Sequence, residues 1–552
     1  MAAVPEPALL QRLALAAAVL VAVALVVLLD RPRGRWGRRL RRRFLLGLPW
    51  GTITTAAFVL LVYLLLQGGL DHPYAPTTLP FRAWSYFYPL GIATASFAHS
   101  GPGHLVGNLV GTLALAPLAE YAWGHYPRER GASSFGSVRT NPLVRAFVLF
   151  PAAALAVGLL TSAFALGPVI GFSGVVFAFG GAALVHYPIR TVVALSAADL
   201  LRVAVRAVRS PTTTAAAEPS FSAPWWSQIA IQGHALGVLI GVLVGVWLLR
   251  ERGDDPPSAL RVFGGVLLFG AAQALWAVYW FRGGGSFVLY RAVGLALVVV
   301  LAALVAAAVA ASDRPLVGTG AAGESLRTVP RWTAAAVVLL LVVSALAGPA
   351  VVTNLATASD EPLPGDPITV RDYEVTYAEN VENGMVSVVD VKAFGEETSV
   401  NTSGVIVRSE RRELWMTAVR TGRLAFDGRA TVRLGGVGWR ERVVANRTGW
   451  TAVGGPTTYR VTLRHDDRRV PVFTAPPAEA APVVAGRNIS VAARPNGFVL
   501  GVRRGGRNDT APIPARNASV RAGGLRFVRN GSRVIAVRGE TRVPVARREQ
   551  YR

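Results

Sequence analysis

Apolar residues run in long unbroken stretches over the first 350 positions and in short alternating stretches after them. The long stretches fall at 13–29, 51–69, 103–122, 143–164, 172–188, 227–249, 262–281, 287–311 and 332–350. A helix crossing the hydrocarbon core of a bilayer needs about 20 apolar residues, so each stretch predicts a transmembrane helix. A further segment, 190–208, carries Asp199, Arg202 and Arg206 and predicts an amphipathic or interfacial helix on hydropathy alone. Beyond Ala350, Thr369–Tyr377 and Val386–Val391 alternate at period two, as half-buried strands do. Gly404–Arg408, Ala430–Leu434, Tyr459–Leu463 and Arg533–Val537 read the same way, and Asn383-Gly384, Asn496-Gly497 and Asn530-Gly531 mark turns between strands. The predicted fold is an α-helical polytopic membrane protein with a C-terminal all-β, sandwich-like domain.

Composition supports that division. Hydrophobic residues make up 52% and charged residues 16% of the 552 positions, against about 25% charged in soluble domains. The absence of cysteine excludes disulfides, thiolate metal sites and a Cys nucleophile. The net charge of +25 is almost wholly arginine, since Lys392 is the only lysine. Arg31, Arg33, Arg35, Arg38, Arg39, Arg41, Arg42 and Arg43 lie between the first two apolar stretches. That is the signature of a cytoplasmic loop rather than of a nucleic-acid surface. The first stretch precedes these arginines with no small-residue cleavage site between, so it is a membrane helix and not a signal peptide. With that loop inside and 190–208 crossing, ten crossings put the C-terminal region outside. Sequons starting at Asn401, Asn446, Asn488, Asn508, Asn517 and Asn530 all fall in that region, in accord with an extracytoplasmic side.

Polar and catalytic-type side chains inside apolar spans are costly, and each is a functional hypothesis. His104 and Asn108 are four residues apart, on one face of the helix that starts there. Ser173 stands between Gly171 and Gly174 at a span's start, where its hydroxyl and N–H groups are accessible. His234 lies about 11 Å into its span at 1.5 Å per residue, and Gly237 and Gly241 follow it at the spacing that lets two helices approach closely. Ser173 is a candidate nucleophile at the same depth. Taken singly each site has a bland reading, a cap for the serine and a packing hydrogen bond for the histidine.

In combination and in this order, H-x-x-x-N at 104–108, G-x-S-G at 171–174 and H-x-x-G-x-x-x-G at 234–241 make the chain resemble the rhomboid family of intramembrane serine proteases. The resemblance covers 51–249 as a six-helix core. It implies Ser173 as nucleophile, His234 as general base, and an oxyanion hole from the Ser173 N–H with the Asn108 and His104 side chains. It implies supporting roles for Gly171, Gly174, Gly237, Gly241, His99 and Glu120, the last two as braces of the outer loop and helix. Phe177 stands where the family often has tyrosine, so ring stacking on the imidazole survives without a hydroxyl. Trp84-Ser85 replaces the family's Trp-Arg pair, and 190–208 takes the place of the helix that acts as a lateral gate. The rest divides into an extra N-terminal helix and basic loop (1–50), three additional helices (250–350) and the extracytoplasmic β-rich domain (351–552).

The activity so implied is cleavage of transmembrane segments of other membrane proteins, in the plasma membrane of a prokaryote. The lipid bilayer is the other expected partner; no metal, cofactor or nucleic acid is expected. The alternative is a catalytically inactive relative that binds membrane clients. A transporter would show inverted repeats or buried carboxylate pairs, and neither is evident.

Overall fold

The first long apolar stretch becomes helix α1 (Pro7–Asp30), none of whose apolar window is buried within the chain. A lipid-facing surface satisfies its side chains, while its backbone is satisfied internally, as a spanning segment must be. These details come from a computed structural model, which describes residues 7–30, 35–127, 132–212, 221–282, 286–314, 329–387 and 401–552. Arg31, Arg33, Arg128, Arg130, Arg327, Lys392 and the end of the Val386–Val391 run lie outside the described residues. The chain forms two compact units, Met1–Leu355 and Ala356–Arg552.

In the first unit α2 (Arg35–Arg43) precedes α3 (Trp50–Leu66), a short α4 (Pro89–Thr94) and α5 (Pro102–Trp123). There follow α6 (Pro142–Ala163), α7 (Ser173–His186), α8 (Pro188–Arg209) and α9 (Ile231–Arg252). The unit ends with α10 (Ala259–Ala272), α11 (Arg291–Ala310) and α12 (Arg331–Asn354). Among the described residues six helices are long and apolar enough to cross a membrane: α1, α5, α6, α9, α11 and α12. Helices α3, α7 and α10 are apolar but shorter. The buried layer of α7, which includes Val175, Phe177, Phe179 and Leu184, is shared with α5, α6 and α9 and forms the centre of the core.

One predicted span takes another form. The stretch 262–281 is a helix only to Ala272; Ala274 turns the chain with φ 54°, and Tyr279–Phe281 pairs antiparallel with Phe287–Leu289. Aromatic residues there favour extended backbone over helix. The amphipathic 190–208 segment is α8, with buried residues only at Pro188, Thr191, Leu195 and Ala198.

The second unit is antiparallel β-sheet apart from helix α13 (Thr421–Asp427). One four-stranded sheet contains Ile368–Val370, Tyr373–Glu382, Asn401–Ser409 and Leu414–Arg420 in that order. An eight-stranded sheet is built around Trp439–Ala452, which pairs with Arg429–Gly436, Thr457–His465 and the C-terminal strand Thr541–Arg548. A further four-stranded sheet centres on the hairpin Asn488–Arg494 and Gly497–Arg504, joined through Asn496. The Thr369–Tyr377 alternation is interrupted by a turn in which Arg371 has φ 55°, so it forms two paired strands rather than one. Five of the six sequon asparagines are exposed, and Asn446 is half-buried within its strand.

Charge pairs tie the sheets. Arg447 lies 3.4 Å over the Tyr459 ring and holds both Glu549 oxygens, at 2.9 and 3.2 Å. Arg412 donates to both oxygens of Asp372, at 2.6 and 3.3 Å, and Ser409 Oγ donates at 3.2 Å. Burial by itself would raise the Asp372 pKa, but these donors outweigh it and hold the carboxyl below its ordinary value. A depressed folded-state pKa contributes stability above the unfolded value, lost as pH falls through the folded one. Asp372→Asn is therefore expected to destabilise the second unit at neutral pH by about 1.5–3 kcal/mol, the scale of a hydrogen bond to a charged group. The deficit should vanish as pH drops below the ordinary carboxylate range. Thermal unfolding of the full-length chain across pH measures it; a deficit independent of pH would refute the pairing.

Candidate active site

Three helices with parallel direction bring the polar residues together. Helix α5 carries His104 and Asn108 in its first turns, α7 begins at Ser173, and α9 carries His234 in its first turn. His234 Nε2 lies 2.8 Å from Ser173 Oγ. The Phe177 ring stacks on the imidazole, with centroids 4.1 Å apart and planes at 11°. Both members of the pair are half-buried, and His234 Nδ1 is buried with no hydrogen-bond partner among the described residues. No carboxylate therefore orients this imidazole; Phe177 and the close fit of α7 and α9 do.

That fit is made by glycine. A Cβ on Gly237 would sit 2.2 Å from the Gly174 carbonyl oxygen, and one on Gly241 would sit 2.0 Å from that of Ala178. From the other side, a Cβ on Gly181 would sit 2.1 Å from the Val238 oxygen. Backbone meets backbone at each point, so no side chain can yield. Gly174 itself packs on Thr161 of α6.

Gly171 is constrained twice. Its φ of 129° disfavours other residues, and a Cβ there would lie 2.4 Å from the His104 ring and 3.5 Å from Asn108 Nδ2. The missing side chain leaves the space between His104, Asn108 and Ser173. Asn108 Nδ2 is buried without a partner among the described residues. His104 Nδ1 faces Ser100, with Oγ at 3.0 Å and a long N–H contact at 3.5 Å. A ring nitrogen that accepts from N–H leaves Nε2 as the protonated one in the neutral imidazole.

The segment leading to Ser173 is held along its length. Val169 bridges Ala83, the Gly171 N–H donates to the Ala95 oxygen at 2.8 Å, and Phe172 is fully buried. Gln232 and Asn354 complete the hold. Gln232 Nε2 donates to the Phe164 and Leu346 oxygens, both at 2.8 Å, while its Oε1 accepts from the Leu166 N–H at 3.0 Å. Asn354 Nδ2 donates to the Ala163 and Ala165 oxygens, at 3.1 and 3.2 Å, and its own oxygen accepts from the Tyr86 N–H. Sequence reasoning missed both residues, although an amide inside an apolar helix is itself a signal. It also missed Arg82, the cation that acts on His104; burial holds the Arg82 pKa below its ordinary value.

His99 and Glu120 stand apart from the pair. His99 is clamped through its backbone by Gln67, whose Oε1 accepts the His99 N–H at 2.7 Å and whose Nε2 donates to its oxygen at 2.9 Å. Its ring lies edge-on to His104, 5.1 Å between centroids. Glu120 lies at the far end of α5. It accepts from the Gly51 and Thr52 N–H groups, at 2.7 and 2.8 Å, and is 2.6 Å from His125 Nε2, so it caps α3. Among the described residues the His and carboxylate cluster with metal-ligand spacing is Glu441, His465 and Asp466, which belongs to the second unit.

A serine hydroxyl and an imidazole thus lie within hydrogen-bond reach inside a glycine-packed bundle of apolar helices, the architecture of a multi-pass membrane protein. Residues 86–251 match the family model of the Rhomboid domain, so the first unit contains a rhomboid domain. No curated protein and no solved structure matches the chain.

The glycine contacts make an opposed pair of substitutions informative. Gly241→Ala should destabilise the first unit by about 1–3 kcal/mol or more, the cost of overpacking. Gly264→Ala, within α10 with nothing inside 4 Å of the added carbon, should stabilise by about 0.5–1 kcal/mol through helix propensity. Thermal unfolding of the purified protein gives both signs; equal effects would refute the backbone-contact account.

Proposed function

We propose that the chain is an intramembrane serine endopeptidase acting on transmembrane segments of other membrane proteins. The observation that carries this reading is the 2.8 Å contact of His234 Nε2 with Ser173 Oγ between the apolar helices α7 and α9. In this reading Ser173 Oγ attacks the scissile carbonyl carbon as its proton passes to His234 Nε2. The carbonyl oxygen, now an anion, accepts from the Ser173 N–H, Asn108 Nδ2 and His104 Nε2–H. Those donors are fixed before the charge develops, which is what makes them effective. The first N–H groups of α7 have no partner within the helix and face the same space, and the Arg82 charge favours an anion there. The Phe177 face supports the transient imidazolium, as an aromatic ring does a cation. Collapse of the intermediate breaks the C–N bond, and His234 returns its proton to the leaving amine. Water then attacks the acyl-serine, with His234 again the base.

Substrate entry is assigned to α8. Its buried residues all lie in its first half, remote from Ser173, while Leu200, Leu201 and Val203 near the serine end are exposed. The outer half is pinned by Arg202, which donates to the Gly107 oxygen of α5 at 3.2 Å and pairs with Asp199. Parting of that contact and of the Arg12 bond to the Arg209 oxygen, 3.4 Å, would open a path from lipid to the pair. The second unit is assigned to the extracytoplasmic side, supported by its polarity, its exposed sequon asparagines and the arginine distribution of the loops.

Labelling of purified protein with a fluorophosphonate, alongside cleavage of a transmembrane substrate, tests the chemistry. Ser173→Ala should lose both, and His234→Ala should lose cleavage. The double variant should be no worse than either, because the two act as a unit. Asn108→Ala should lower turnover by about 10²-fold with little change in substrate affinity. Full cleavage by Ser173→Ala would eliminate the protease reading and leave client binding.

Protease added to intact cells should degrade residues 356–552 and spare 132–141, the described part of the loop before α6. Protection of the tail until lysis would place it on the cytoplasmic side.

A further inference from the structure

Two cavities meet on the helical core, one running along α7 and the other at the end opposite Ser173. The first, about 280 Å³, is apolar and lies among α5, α6, α7 and α9; Ala153, Ala182 and Gly245 line it with Phe150, Phe179 and Trp247. The second, about 1140 Å³, is lined by Arg42, Arg43, Arg139, Arg145 and Arg252. Trp123, Leu149, Trp247 and Leu248 line both, so one opens beside the other. Five arginines against Glu251 and Asp254 leave three net positive charges in the second. We propose that this double cavity binds one anionic phospholipid, an acyl chain in the apolar pocket and the phosphate among the arginines.

The arginines divide into two sets. Arg145 is buried, stacks 3.7 Å over the Trp123 ring and donates to the Gly124, Arg139 and Trp123 oxygens, all at 3.0 Å. Arg252 donates to the Ala122 and Trp123 oxygens. These two are held by the carbonyl end of α5, whose dipole favours cations. Their positions are fixed before any ligand arrives. Arg42 and Arg139 differ: both are exposed, and neither guanidinium makes a hydrogen bond or ion pair with another described residue. They are free donors beside a fixed positive field.

Trp123 supplies an independent observation. Its Nε1 is buried and has no hydrogen-bond partner among the described residues, and Trp123 itself lines both cavities. Buried indole N–H groups ordinarily find a partner. An ester or phosphate oxygen at the junction of chain and headgroup would provide it. A soluble phosphate would leave the apolar pocket empty and a neutral lipid would leave the arginines unmatched. An anionic phospholipid meets both.

Native mass spectrometry of the full-length chain, released from micelles holding equal dioleoylphosphatidylglycerol and dioleoylphosphatidylcholine, tests this. Preferential retention of one phosphatidylglycerol is expected. A basic side chain near a membrane surface contributes roughly fivefold in affinity, so Arg42→Gln with Arg139→Gln should reduce retention about 30-fold. Arg261→Gln, exposed at the same end but outside the cavity, should leave it unchanged. Ala153→Phe or Val244→Phe, each filling the apolar pocket from an exposed position, should also abolish preferential retention. Either variant suffices, provided its thermal unfolding is unaltered. Equal retention of the two lipids, an equal loss in Arg261→Gln, or competition by glycerol 1-phosphate as strong as by the lipid would each overturn the proposal.

Discussion

Backbone-to-backbone contact between α7 and α9 is the constraint on which the rest of the helical unit depends. Gly237 and Gly241 on one side and Gly181 on the other bring carbonyl oxygens within reach of Cα atoms. In lipid no hydrophobic force drives helices together, so close packing has to supply the attraction. Here the same packing sets the separation of Ser173 and His234. A hydroxyl and an imidazole on separate helices hold a 2.8 Å contact only if the helices cannot slide or part. Thr161 against Gly174 and Val176 against Gly111 extend the tight fit to α6 and α5.

Polar groups are distributed unevenly around that contact. Ser96, Ser162, Gln67, Gln232 and Asn354 are matched to partners, mostly carbonyls of the loops that lead to the helices. Asn108 Nδ2 and His234 Nδ1 have none among the described residues. A buried donor without an acceptor costs roughly 1–3 kcal/mol. Both ring nitrogens of His99, which lies edge-on to His104, and Arg82 Nε are also unmatched among the described residues, so several of the unmatched buried nitrogens gather near Ser173. That pattern fits a site organised for charge that is absent in the resting state.

The sequence revealed the parts of this arrangement that depend on local spacing. A four-residue interval puts His104 and Asn108 on one face, and glycine at 237 and 241 announces a close neighbour. The short β-hairpin at 279–289 was hidden, because an apolar run of this length reads as helix until aromatic content is weighed against it. The turn at Arg371 was equally hidden, since alternation continues across a tight turn unchanged. Gln232 and Asn354 escaped for another reason. Their partners are main-chain carbonyls more than 60 residues away, and a carbonyl leaves no trace in the residue code. The Glu120 cap on α3 is of the same kind, an acceptor whose donors are backbone N–H groups 68 and 69 residues distant.

The lopsided burial of α8 has a consequence for the membrane itself. Because Pro188, Thr191, Leu195 and Ala198 are buried while the following turns are held by polar contacts alone, an outward swing of the proposed kind would pivot about the end remote from Ser173. The apolar layer formed by Phe179, Leu184, Val185 and Val242 stays closed below the pivot. In the proposed reading, water reaching Ser173 would therefore wet one leaflet only. A protein can then admit a polar reactant to the bilayer without short-circuiting the ion gradients that the bilayer exists to maintain.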